Sequence, residues 1–171
     1  GEGKVHAAGK KHVKEALKHI WHKPIALFAI ISIAVGHVVM VSVMVMTPVH
    51  MAHVDVSLKI IGLVISVHVI GMYAFSPVVG GISDRIGRIK TIQFGLGILL
   101  ASAIVSGTAA ADDVPRLGIG LFLLGLGWSF TLIAGSALLS SSVDPTLKTS
   151  SQGASDLVMN LAGAGGGATA G

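Results

Sequence analysis

Apolar residues gather along this chain into long runs separated by short polar connections. The runs cover Pro24 to Pro48, Ile60 to Ser83, Ile89 to Ala111 and Leu117 to Ser142, and a fifth opens near residue 154 and is still apolar at Gly171. A helix needs about 20 residues to cross ~30 Å of hydrocarbon at ~1.5 Å per residue, so the pattern predicts four complete transmembrane helices and part of a fifth. Connections this short make antiparallel helical hairpins, and lipid leaves no water to satisfy an open strand. The expected fold is therefore an all-α, polytopic membrane helix bundle. Residues 1–23 repeat differently: Val13, Ala16, Leu17, Ile20 and Trp21 recur at helical spacing while lysines occupy the other face. That spacing predicts a basic amphipathic helix. Its charge suits anionic lipid heads and its Trp21 suits the interface, so it is expected on the cytoplasmic surface before Pro24 opens the first span. It runs into the membrane without a linker, which argues against a nucleic acid as its partner.

Composition agrees with a chain whose solvent is the lipid bilayer. Apolar residues make up 52% and charged residues 12%, against roughly 25% charged in soluble domains. There is no cysteine, so thiol chemistry and disulfides are excluded. Six of the twelve Lys and Arg precede residue 24, and the later basic residues are unevenly shared. Lys59 follows the first run, Arg85, Arg88 and Lys90 the second, Arg116 the third and Lys148 the fourth. Summed over alternate connections this is ten against two. The positive-inside rule then places the N-terminal segment, the Arg85 connection and the Lys148 connection in the cytoplasm. The chain opens without methionine and stops within an apolar run, so it reads as a piece of a longer protein.

Between the second and third runs stands Gly80-Gly81-Ile82-Ser83-Asp84-Arg85-Ile86-Gly87-Arg88-Ile89-Lys90. This resembles the cytoplasmic signature of the major facilitator superfamily, Gly-x-Leu-Ala-Asp-Arg-x-Gly-Arg-Lys. Gly80, Asp84, Arg85, Gly87 and Arg88 match in type and spacing, whereas Ile89 replaces a basic residue and Lys90 comes one place late. The family's N-terminal half typically carries an arginine in its fourth span, four residues before a Gly-x-Gly pair. Here Leu121 stands before Gly125-Leu126-Gly127, and the last run lacks the Gly-Pro signature of drug-efflux members. The resemblance thus implies spans seven to eleven of a twelve-helix fold, with the N-terminal half of the same chain as a missing partner. The stretches from Met44 to Ser76 and from Gly125 to Gly153 are similar to bacterial, especially actinobacterial, members. What the resemblance implies is a secondary active transporter in the bacterial plasma membrane. It would move a small solute by alternating access, coupled to protons, with solute efflux or antiport among the options. The signature residues would hold the cytoplasmic side closed in one state. A non-transporting receptor or assembly subunit of the same fold is the rival. Neither a cofactor nor a metal is expected, and no nucleotide loop, zinc spacing or nucleophile elbow supports an enzyme.

Ionisable side chains at membrane depth cost roughly 2.5–3.5 kcal/mol each, so they demand a partner or a wet cavity. His37, midway along the first span, His68 in the second, and Asp156 with Asn160 one turn deeper in the fifth are the candidates for a solute pathway or proton relay. Trp128, in the middle of the fourth span and far from the interfacial belt, joins them. Against each stands a plainer reading: histidines bonded to a nearby carbonyl, Asp156 at headgroup level, Trp128 as packing. Met40, Met44, Met46, His50, Met51 and His53 crowd the outer end of the first span, and methionines there are usually gap filler rather than ligands.

Overall fold

The computed structural model describes residues 2–170, with side chains from Gly9 onward. All regular structure among the described residues is helical: α1 (Glu2–Trp21), α2 (Pro24–His53), α3 (Leu58–Tyr73), α4 (Ser76–Ile86), α5 (Arg88–Gly107), α6 (Val114–Ser142) and α7 (Lys148–Ala170). A 3₁₀ turn, Pro145–Leu147, precedes α7. Among the described residues, four stretches are long and apolar enough to cross a membrane: α2, α3 with α4, α5 and α6. The less apolar α7 has 23 residues, ~35 Å at the α-helical rise, and packs along α2.

The helix ends differ from the apolar runs for physical reasons. Pro24 sits at the first position of α2, where its fixed φ suits a helix and its missing N–H is not needed. The expected end at Pro48 is passed, because an interior proline removes one ladder bond without stopping a membrane helix, and α2 ends only near Asp55, whose φ is 61°. The run Ile60 to Ser83 is two helices. Pro77, in the first turn of α4, offers no N–H to the Tyr73 carbonyl, and the ladder breaks at Ala74 and Phe75. Gly87, at φ 93°, then turns the chain directly into α5, a backbone that a side chain would strain. α5 stops at Gly107, before the expected Ala111, with the Thr108 hydroxyl donating to the Ile104 carbonyl at 2.6 Å. α6 begins ahead of the expected Leu117, because Asp113 caps it by accepting from the Arg116 amide at 3.3 Å. α7 likewise starts at Lys148, ahead of residue 154, and continues through the Gly163–Gly167 run.

α6 is the centre of the bundle. Its spanning window is 61% buried, against 28% or less for the other spans, and α5, α3 and α2 all pack on it. The α3–α6 crossing brings backbone against backbone: a Cβ on Gly125 would strike the His68 carbonyl oxygen and come within 2.8 Å of the Met72 amide. Lipid offers no hydrophobic drive between helices, so such close packing supplies the attraction. Outward, Leu63, Phe94, Leu100, Ile104 and Ile119 are exposed, a surface suited to acyl chains.

α1 packs on α7 and α2. Ala16 and Ile20 are fully buried there, Val13 and Leu17 partly so, whereas Trp21 is 72% exposed and leaves the apolar face to which periodicity assigned it. His19 follows Ala16 by three residues and so shares its face; its Nε2 is enclosed and has no hydrogen-bond partner. Nearby, the amide and hydroxyl of Thr146 donate to the Asp144 carboxylate at 2.9 and 2.7 Å and hold it below its ordinary pKa. The positive charge of Lys23 acts in the same direction.

Candidate solute pathway

His37 and Trp128 lie near the middle of helices of 30 and 29 residues, and the fold sets them side by side. The indole Nε1–H donates to His37 Nδ1 at 3.3 Å, which leaves the proton of a neutral imidazole on Nε2. The Cδ2–Nε2 edge of that ring faces Gly163 of α7, where a Cβ would come within 2.6 Å of Cδ2 and 2.8 Å of Nε2. Only glycine lets α7 pack there with the ring in place. On its other side the buried Trp128 meets Tyr73 edge to face, with centroids 6.0 Å apart and planes at 80°. Tyr73 is the last residue of α3, just before the break, and is 59% exposed.

His68 belongs to different surroundings. Its ring is 2% exposed in the α3–α6 seam, and Nδ1–H donates to the Leu121 carbonyl at 2.9 Å. It faces no open space. Asp156 and Asn160 are exposed on α7, where the Asn160 amide donates to the Asp156 main-chain carbonyl at 2.8 Å. The structure therefore joins His37 to Trp128, holds Asp156 beside Asn160, and sets His68 apart.

Of the signature residues, Asp84 and Arg85 are exposed on the last turn of α4, Gly87 is exposed in the turn, and Arg88 is half-buried at the start of α5. A Cβ on Gly80 or Gly81 would meet nothing within 4 Å. At the far end of α2, a cavity of about 390 Å³ is lined by Met46, Thr47, His50, Met51 and Ser106 among others. No group of three or more His, Cys, Asp or Glu that could hold a metal occurs among the described residues.

Sequence reasoning missed two members of this arrangement. Tyr73 is the sole tyrosine of the chain and precedes the break, but nothing in spacing tied it to Trp128. Gly163 stands in a glycine-rich stretch, Gly163 to Gly167, where nothing in the sequence singles it out. A usable signal was depth: His37 and Trp128 each stand at the middle of their helices.

The chain matches the Major Facilitator Superfamily over residues 2–167 and belongs to that superfamily of multi-pass membrane proteins. It is 40% identical over 149 residues to an uncharacterized MFS-type transporter of Bacillus subtilis, YddS, covering 87% of this chain and 34% of the relative. A second from the same organism, YdeG, is 39% identical over 164 residues, covering 95% and 38%. The riboflavin transporter RfnT of Brucella anthropi is 32% identical over 133 residues, covering 76% and 33%. The chain thus spans about a third of the length of these curated relatives. No solved structure gives a significant match.

Proposed function

We propose that the chain supplies five spans, seven to eleven of twelve, of a bacterial plasma-membrane transporter that moves a small organic solute by alternating access and leaves it chemically unchanged. The observation that carries this reading is the imidazole, indole and phenol of His37, Trp128 and Tyr73, linked at mid-helix depth in a bundle of this family. Asp156, exposed on α7 two residues beyond Ala154, stands near the end of that span, where a route entering from that side would meet its carboxylate. An exposed tyrosine beside a tryptophan suits a planar aromatic solute, the shape of the riboflavin carried by one relative. Proton coupling runs through His37 ahead of His68 in this reading, because His37 is half-buried at the pathway wall while the His68 ring is sealed in a seam. The α1 end is cytoplasmic, as the basic asymmetry requires. There Gly80 and Gly81 face open space and Asp84 and Arg85 are exposed, so α4 is available to close against the other half of the transporter.

The test is flux in proteoliposomes bearing the full-length parent. Solutes, flavins included, are offered with and without a pH gradient. Asp84→Asn keeps size and most acceptor capacity while removing charge. It should slow gradient-driven flux roughly tenfold, the worth of one charge-assisted pair, with solute binding retained. Normal flux in that variant removes Asp84 from the gate, and binding without flux in the unmodified protein would point to a receptor.

A further inference from the structure

α1 is held to the bundle by one face and leaves another bare. Ala16 and Ile20 share a core with Ala29 and Ile30 of α2 and Ala154 of α7, and Val13 lies against Gly153. Those partners sit in the second turns of their spans, so the C-terminal half of α1 is pinned beside the span ends, where hydrocarbon gives way to headgroups. The apolar face is thereby occupied by protein and cannot enter lipid. On the bare side, Lys10, Lys14 and Lys18 are spaced four apart, Lys11 precedes Lys14 by three, and Trp21 follows Lys18 by three. Helical geometry makes these five residues one stripe, and all five are exposed. Glu15, at the edge of the stripe, is the one acidic residue between Gly9 and Lys23.

We infer that this stripe binds the headgroups of anionic phospholipids in the adjoining leaflet. The chain itself argues for lipid over a soluble partner. Trp21 stands three residues before Pro24, where the first span begins, so the leaflet is within reach of the stripe. An indole 72% exposed among lysines is poorly placed in water and well placed at the interface. Because the apolar face is already used, binding is electrostatic with an aromatic anchor, not insertion of an amphipathic wedge. It is therefore screened by salt.

The experiment uses the full-length parent in detergent, titrated with short-chain phosphatidylglycerol or phosphatidylcholine, with bound lipid counted by native mass spectrometry. Phosphatidylglycerol should be retained over phosphatidylcholine, with apparent affinity falling roughly fivefold for each lysine replaced by glutamine at positions 10, 11, 14 and 18. The matching arginine replacements should restore it, and Trp21→Ala should weaken it at fixed charge. Equal retention of the two lipids, or unchanged phosphatidylglycerol retention in the quadruple glutamine variant, overturns the proposal. So does loss of retention in the arginine variants, which would trace the effect to folding.

Discussion

Two histidines at membrane depth carry the same chemical liability and meet opposite surroundings. His68 is enclosed between α3 and α6, its Nδ1–H spent on the Leu121 carbonyl, and the glycine beside it, Gly125, presses on its own main-chain carbonyl. His37 is half-buried, its Nδ1 held by a tryptophan side chain, and the glycine beside it, Gly163, faces the ring itself. In the first region backbone is fitted to backbone and nothing can shift cheaply. In the second, side chains meet side chains, and a ring can turn. An ionisable residue in a span is thus a staple or a working part according to what its neighbours leave movable.

The glycines give the sharpest way to break this comparison. Gly125→Val should cost about 3 kcal/mol or more, because the added atoms meet immovable backbone, and loss of monodisperse protein on heating would show it. Gly163→Ala should cost about 1 kcal/mol, because the His37 ring can rotate away, yet it should depress transport by parting His37 from Trp128. Comparable melting losses in the two variants would erase the distinction.

Next in size come the histidines. His68→Ala should destabilise by about 1–3 kcal/mol, with His68→Asn recovering much of that, since its amide stands near the lost Nδ1–H donor. Neither should alter the pH profile of transport. His37→Gln should melt like the parent while losing the pH dependence of flux between about pH 5.5 and 7.5. An unchanged profile in His37→Gln, or a flattened one in His68→Ala, would exchange the two roles.

The smallest effect belongs to Asp144. Its pKa is lowered by the Thr146 amide and hydroxyl, so its contribution to stability is complete above the ordinary carboxylate range and is lost as pH falls through the lowered value. Asp144→Asn should therefore melt slightly below the parent at neutral pH and level with it in strong acid. A gap that persists in acid would assign the effect to packing.

The helices were legible because lipid imposes long apolar runs, and the signature was legible because it is contiguous from Gly80 to Arg88. The break at Ala74 and Phe75 was written in Pro77 but overlooked, because hydropathy stays high across it. The candidate pathway was only half legible. His37 and Trp128 were visible as misplaced polar atoms, yet their meeting depends on a crossing of α2 and α6 that no local pattern encodes. His68 could not be told from His37 by sequence, since both are lone histidines in apolar helices and the difference lies in the neighbouring helix. Trp21 misled for a related reason: its register fits the apolar face, but the bundle covers only the part of that face holding Ala16 and Ile20.

The central place of α6 bears on how the protein is made. α2, α3 and α5 touch one another little and each leans on α6, which is the last of the four to leave the ribosome. A nascent chain halted after Gly107 would hold three inserted spans that lack the helix on which most of their packing rests. Lateral release into the bilayer before α6 arrives would leave Gly71 and Gly95 facing acyl chains instead of the helix they fit. The packing surface of the early spans is thus completed only when α6, between Val114 and Ser142, is in place.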